Sequence, residues 1–427
     1  MASKKKLSRR EFFATSARYA TGLGAGLALP NVITSPALGA PGVAPASDRI
    51  TLGTIGCGGQ GTGDLGALMG TGKIQPLAVC DCYESNRNRA KKRAGGKVET
   101  YNDFRDLLDR KDIDAVNIGT PDHWHAIIAI RAAQAGKDIY CQKPLSLTIK
   151  QGRAMVNAVR RYNRVFQTGS QQRSEGNFRY ACELVRSGRI GKLIWVDTRV
   201  GGNPTCGWDP DTYPPPGLDW DMYLGPARKV PFNPRRFIWD FRWLWDYSGG
   251  NMTDWGAHHN DIAQWGIGTD HTGPIWIDGT GQFPTEGLME TPVSYKATYT
   301  YANGVKLVCS SEGNNVTFYG TEGRIDVNRG RLSSDPPDII KQPIGPKDVH
   351  LYVSNNHYQD FVDCVKERRR PICDVETGHR SVSVCHLGNI SIRLRRKIKW
   401  DPVKEEIVGD EEANRWLDRP MRKPWHL

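Results

Sequence analysis

No stretch of the 427 residues holds the run of about 18 apolar side chains that a membrane-spanning helix needs. With 38% hydrophobic residues and a mean hydropathy of -0.53, the chain reads as a soluble globular protein. Cysteine occurs ten times but never as C-x-x-C, and only Cys80 and Cys82 stand close together, so no zinc site and no disulfide framework is indicated. Buried free thiols are the expectation. There is no internal repeat and no low-complexity linker, which excludes solenoid architectures. Nor is positive charge concentrated. The formal net charge is +12, but six Lys/Arg and one acidic residue fall within residues 1–46, leaving 52 basic against 45 acidic side chains beyond them. Apart from Arg393–Lys399 these are scattered, so a nucleic-acid partner is not expected.

At this length two domains are expected, because a single core rarely grows past roughly 250 to 300 residues. The first 46 residues read as an address. Lys4, Lys5 and Lys6 precede Ser8-Arg9-Arg10-Glu11-Phe12-Phe13 and a weakly apolar, glycine-containing stretch, the pattern of a twin-arginine export signal followed by a small-residue linker. A periplasmic protein is expected, without stable membrane insertion once the signal is removed.

From residue 47 to 170, short apolar runs alternate with helical stretches. The runs at 50–55, 74–80, 115–118, 139–141 and 165–167, with helices at 84–94, 103–110 and 123–135, predict a parallel sheet of βαβ units. Residues 171–427 change in texture to Trp, Gly and Pro, with alternating strand patterns at 193–200, 293–301, 304–310 and 315–319. The predicted class is α/β: a Rossmann half, then an α+β half with a large, mainly antiparallel open sheet. The proline-rich stretch 201–250 lacks periodicity and is expected to form long ordered loops of functional weight.

Gly56, Gly58 and Gly61 form G-x-G-x-x-G directly after the first strand, with Gly59 and Gln60 between them, at the start of a helix. Such glycines permit a tight turn, bring backbone amides against a pyrophosphate and let the helix pack closely. Asp81 follows 20 residues after Gly61, at the end of the second strand, where a carboxylate accepts hydrogen bonds from an adenosine ribose. That carboxylate repels a 2′-phosphate, which favours NAD over NADP, although Asn86, Arg87 and Arg89 leave room for a phosphate.

Three further motifs, TPDHWH at 120–125, GKDIYCQKPL at 136–145 and GGNMTDWGAHHND at 249–261, make nearly the whole chain beyond residue 46 resemble the glucose-fructose oxidoreductase, inositol dehydrogenase and MocA family. The resemblance implies that Lys143 reaches the reacting hydroxyl beside the nicotinamide and that Asp254 and His258 are its catalytic partners, with Asp261 at the next such spacing. It further implies that Thr120, Pro121, His125, Gln142 and Lys143 line the dinucleotide site, and that Arg242, Trp243, Asp254, His258 and His259 join Lys143 at the substrate. Independently, a spacing of four places Asp254 and His258 on one face of a helix. Two departures stand out: Gln142 where the family usually has Glu, and Asp122 where it commonly has Asn. Losing the glutamate beside Lys143 would make that lysine shed its proton more easily.

Hydride transfer from a secondary alcohol needs a proton acceptor, a cation for the developing alkoxide and a positioned nicotinamide. His258 tuned by Asp254 and the ammonium of Lys143 match those roles. Seven of the thirteen tryptophans lie between Trp208 and Trp265, with Arg235, Arg236, Arg242 and Tyr247, a mixture suited to a sugar, glycoside or cyclitol. Export removes access to a pool of free NAD, so a tightly held, recycled cofactor is expected. The alternatives are an NAD-dependent glycoside hydrolase acting by transient oxidation and elimination, and a non-catalytic sugar-binding protein. No metal is expected, and homo-oligomers are common in the family.

Overall fold

The computed structural model describes residues 44–427, so the twin-arginine segment lies outside the described residues. Strands β1 (Ile50–Ile55), β2 (Ile74–Cys80), β3 (Glu99–Tyr101), β4 (Ala115–Ile118), β5 (Asp138–Cys141) and β6 (Phe166–Thr168) form one parallel sheet in the order β3-β2-β1-β4-β5-β6. Helices α1 (Gly59–Met69), α2 (Glu84–Arg93), α3 (Phe104–Leu108), α4 (Asp122–Gln134) and α5 (Ile149–Arg161) connect them. β4 and β5 are buried along their whole length, as a sheet covered on both faces requires. The strand order reverses between β1 and β4, and a crevice opens at their carboxyl ends.

The second layer is a nine-stranded sheet made of β7 (Leu193–Arg199), β8 (Trp276–Gln282), β9 (Ser294–Thr300), β10 (Lys306–Ser310), β11 (Asn315–Gly320), β12 (Arg324–Asn328), β13 (Arg331–Asp335), β14 (Ile398–Asp401) and β15 (Glu406–Ile407). Only the β7–β10 pair is parallel. α6 (Gly176–Arg186) precedes this sheet and packs on β12, while the short α7 (Trp220–Leu224), α8 (Asn251–Asp254) and α9 (Gly256–Ile267) follow β7. The expected strands at 193–200, 293–301, 304–310 and 315–319 correspond to β7, β9, β10 and β11. Between β7 and β8, residues 201–250 hold one short helix and two single turns of 3-10 helix, the rest being loops pinned by side chains. The Asn203 amide donates to the Pro292 carbonyl at 2.6 Å, for example, and the Trp220 indole to the Val230 carbonyl at 2.9 Å.

The chain after residue 170 does not stay in the second layer. α10 (His357–Glu367) returns to the parallel sheet, where Phe361 and Val362 share a core with Leu52, Leu65 and Tyr140. α11 (Val375–Leu394) lies between the layers, and Trp425 of the tail packs edge-on against Trp124 at 4.7 Å. Burial of large apolar surfaces in both directions fixes the two layers against each other.

Candidate active site

The glycine turn divides into packing glycines and open ones. Gly56 has φ +82°, and a β-carbon there would overlap the Thr120 amide nitrogen; one on Gly61 would overlap the Gly56 carbonyl oxygen. These two let α1 close onto the turn after β4. Gly58 and Gly59, by contrast, would meet nothing within 4 Å. Both line the cavity at the start of α1, where a helix N-terminus suits a pyrophosphate and a side chain would intrude on its space. Asp81 locks the turn: one oxygen accepts the Cys57 amide at 2.6 Å and the other the Tyr83 amide at 2.8 Å, with the Asn86 amide 3.3 Å from both. Burial pushes its carboxyl up, against the pull of those donors. Arg89 spends its guanidinium on the Cys57 carbonyl (3.0 Å) and Asn86 (2.8 Å), so it braces the loop.

A cavity of about 570 Å³ runs from this turn to Lys143. Gly56, Gly58, Gly59, Gln60 and Asp81 line one end; Thr120, Pro121, Asp122, Gln142, Lys143, Arg242, Ser248 and Asp254 line the other. Tyr223, Phe237, Ile238 and Trp239 form the facing wall. At the inner end the Lys143 ammonium is paired with one Asp254 oxygen and lies 3.4 Å from the Asp254 carbonyl, while Arg242 Nε stands 3.7 Å from the same carboxylate oxygen. Burial would raise the Asp254 carboxyl, but the charges of Lys143 and Arg242 outweigh it and hold it below its usual range. A lysine after β5 and an aspartate of α8, 111 residues apart, thus meet across the two layers.

Two family models match: an oxidoreductase-family NAD-binding Rossmann fold over residues 50–170, and an oxidoreductase-family C-terminal alpha/beta domain over residues 204–427. The chain belongs to the Gfo/Idh/MocA oxidoreductase family. Among its relatives, myo-inositol 2-dehydrogenase of Thermotoga maritima is 24% identical over 379 residues, 84% of this chain and 99% of that one. Two solved structures share the fold. One is the WlbA dehydrogenase of Bordetella pertussis in complex with NADH and UDP-GlcNAcA (TM-score 0.64, 18% identity, 83% of this chain and 99% of that one). The other is the aldose-aldose oxidoreductase of Caulobacter crescentus complexed with glycerol (TM-score 0.62, 18% identity, 82% and 99%). The cofactor of this Rossmann domain is NAD, and the open space at Gly58 and Gly59 with Asp81 on the same cavity fits it.

Against the Gfo/Idh/MocA pattern, Gln142 has a local cause. Its amide donates to a buried carboxylate oxygen of Asp64 at 2.8 Å, while the other oxygen accepts from Tyr358 (2.8 Å) and Gln60 (2.9 Å). Burial still pushes the Asp64 carboxyl up. A glutamate at 142 would set two carboxylates face to face, so this chain carries the carboxylate on α1, at Asp64, and a neutral amide at position 142.

Several residues named from the sequence lie off the cavity. Gly61 is a packing glycine, as above. His125 ties the 120 turn to the 144 turn, its ring nitrogens 2.9 Å from the Thr120 carbonyl and 2.8 Å from the Pro144 carbonyl. The helix expected to carry both Asp254 and His258 breaks at Trp255: the His258 amide donates to the Trp255 carbonyl at 3.0 Å, and the Asp254 carbonyl receives Lys143 instead. His258 is 4% exposed and does not line the cavity, and its Nδ1 lacks a partner; burial, then the charge of the neighbouring Lys143, holds it well below the usual imidazole range. His259 is bonded to Asn314 at 2.6 Å and pushed by burial to about 4. Trp243 is buried, and its carbonyl accepts the Glu290 and Thr291 amides. Asp261 forms a two-pronged pair with Arg173 (2.8 Å each) and accepts Ser381 at 2.6 Å, bracing α9. Of the seven tryptophans between 208 and 265, Trp239 alone lines the cavity, its face 4.3 Å from the Arg242 guanidinium. Sequence reasoning missed Tyr223, Phe237, Ile238 and Ser248, which carry no motif. Among the described residues no cluster of His, Cys, Asp or Glu could hold a metal, and all ten cysteines are free thiols.

Proposed function

We propose that this protein oxidises a secondary hydroxyl of a sugar, glycoside or cyclitol with NAD, keeps the dinucleotide in place, and recycles it on the same or a second sugar. The carrying observation is the Lys143–Asp254–Arg242 cluster at the end of the cavity that begins at the glycine turn. Bound NAD supplies the hydride acceptor. Lys143, fixed by Asp254, presents an ammonium to the substrate oxygen and stabilises the negative charge that develops there. Trp239 and Phe241, stacked on Arg242 at 4.3 and 4.7 Å, offer flat apolar faces beside a donor, which suits the C–H and O–H faces of a saturated ring. The names of its relatives, an inositol dehydrogenase and an aldose-aldose oxidoreductase, support a polyol substrate and a recycled cofactor.

Purified protein should release NAD on denaturation and, given a panel of aldoses, glycosides and inositols, form bound NADH with at least one. Aglycone release without net NADH would assign the redox-neutral hydrolytic branch instead, and failure with every polyol would leave a binding protein. Export through the Arg9-Arg10 segment is part of the proposal; secretion abolished by R9K/R10K tests it. The open face of the second sheet, where Trp195 and Tyr319 stack at 4.1 Å, is assigned to a second copy of the chain. Monomeric sedimentation at micromolar concentration would remove that assignment.

A further inference from the structure

The wall that the chain between β7 and β8 builds along the cavity is held unevenly. Its inner part, at the carboxyl end of α7, is seated in the core. The carbonyl of Tyr223, a residue 5% exposed, accepts the Trp124 indole at 3.0 Å and lies 3.0 Å from His123 Nε2. Arg422 of the tail donates to the Gly225 and Asp221 carbonyls at 2.9 Å each and to the Asp221 carboxylate at 2.7 Å. A β-carbon on Gly225 would overlap the Trp124 ring, so this end of α7 lies directly on α4.

The outer edge rests on the Asp81 end of the cavity by weaker means. Tyr83 and Leu218 form one isolated rung of antiparallel pairing: the Glu84 amide donates to the Gly217 carbonyl at 2.9 Å and the Asp219 amide to the Cys82 carbonyl at 2.9 Å. The Asn102 amide, just after β3, donates to the Asp219 carboxylate at 2.9 Å. The Tyr83 ring meets Phe237 edge-on at 5.6 Å, and Phe237 in turn meets Tyr223 at 5.2 Å. Glu84, Asn102 and Gly217 are exposed, so water competes for these bonds and this edge opens at lower cost than the seated end of α7. Cys82, Asn86 and Asn102 line the cavity beside Asp81, and Met222, Phe237 and Ile238 line it from the wall.

We propose that residues 217–239 form a strap over the adenosine half of the bound dinucleotide, anchored at Tyr223–Gly225 and released along its outer edge, and that this undocking lets NAD in and out. The inference rests on the retained-NAD reading above and gives the retention a physical cause. Asn102, Gly217 and Asp219 are positioning residues, acting on the cofactor through the docked strap. Position 217 requires glycine, because its φ is +79° and a β-carbon would stand 3.0 Å from the Glu84 side chain. A strap that must open gates loading and release alike, whereas a wall that only adds contacts slows release alone.

Tyr83 and Leu218 exchange no backbone bond themselves, which makes them the narrow kind of antiparallel pair, with Cα atoms about 4.5 Å apart, that a disulfide can bridge. Exchange is read as the decay of bound-NADH fluorescence under an NAD chase, and loading as its rise in stripped protein. Oxidised Y83C/L218C should load and release at least about tenfold more slowly than its reduced form, and dithiothreitol should restore both rates. N102A should release NADH about 3- to 10-fold faster than wild type with its urea midpoint unchanged, and G217A about 5- to 30-fold faster. Wild-type release in both N102A and G217A, or a cross-link that leaves loading and release as in the reduced form, overturns the strap alone. A wild-type protein that takes up no dinucleotide overturns the retained-NAD reading and the strap with it.

Discussion

The replacement Q142E restores the residue usual in the family, and here it should damage the protein. Gln142 is 4% exposed and Asp64 fully buried, with 2.8 Å between donor and acceptor. Replacing the amide by a carboxylate removes a charge-assisted hydrogen bond of about 1.5 to 3 kcal/mol. It also opposes two charges about 3 Å apart, which at an effective dielectric of about 20 repel by about 5 kcal/mol. The pair escapes by sharing one proton, and holding it at pH 8 on a group that ordinarily ionises near 4.3 costs about 5 kcal/mol, or about 1.4 kcal/mol per pH unit. A net loss of about 3 to 5 kcal/mol at pH 8 follows. The folded pair has its proton affinity raised above that of the unfolded chain, so the loss grows as pH rises above about 4 and fades as pH falls back towards it. Urea unfolding at pH 8 and pH 5 measures this. D64N/Q142E should recover most of the loss, because the amide introduced by D64N would replace the oxygen that faces residue 142 while its carbonyl keeps Tyr358 and Gln60. Q142E within about 1 kcal/mol of wild type at pH 8, a loss independent of pH, or a double variant no better than Q142E would refute the reasoning.

Gly61→Ala drives a methyl into the Gly56 carbonyl and should abolish dinucleotide retention, read by absorbance of the denatured protein. K143M leaves Asp254 with Arg242 at 3.7 Å as its remaining cation; turnover should fall by about 10²- to 10³-fold with bound dinucleotide unchanged, measured by steady-state kinetics and cofactor content. D122N should stabilise the fold by up to about 4 kcal/mol at pH 8 and not at all at pH 4, because burying an ionised Asp122 is unfavourable between its unfolded value of 3.8 and about 7; denaturant midpoints at both pH values check this. R173M strands the carboxylates of Asp261 and Asp270 and should cost about 3 to 5 kcal/mol in the same assay.

What could be read from the chain was whatever depends on local order. β1, β2 and β4 are apolar runs bounded by turns, and the glycine turn, α1 and Asp81 follow from spacing alone. Lys143 and Asp254 were reachable by resemblance. The interruption at Trp255 was not legible, because a spacing of four between Asp254 and His258 implies one face only if the helix continues through it. α11 was invisible for a different reason: enclosed by both layers, its 20 residues have no polar face, so no period of 3.6 marks them among Val, Ser and His. The wall formed by Tyr223, Phe237 and Trp239 comes from loops whose shape is set by tertiary hydrogen bonds, such as Tyr223 to the Arg236 carbonyl at 2.9 Å, and no local pattern encodes those. Asp122 was visible as a departure from the family, but its environment could be known only from what surrounds it.

The most direct test is native mass spectrometry of the purified, folded protein before and after a polyol is added. The account predicts close to one NAD per chain at the start, converted in place to NADH. A chain that carries no dinucleotide and also takes up none when NAD is supplied would contradict it.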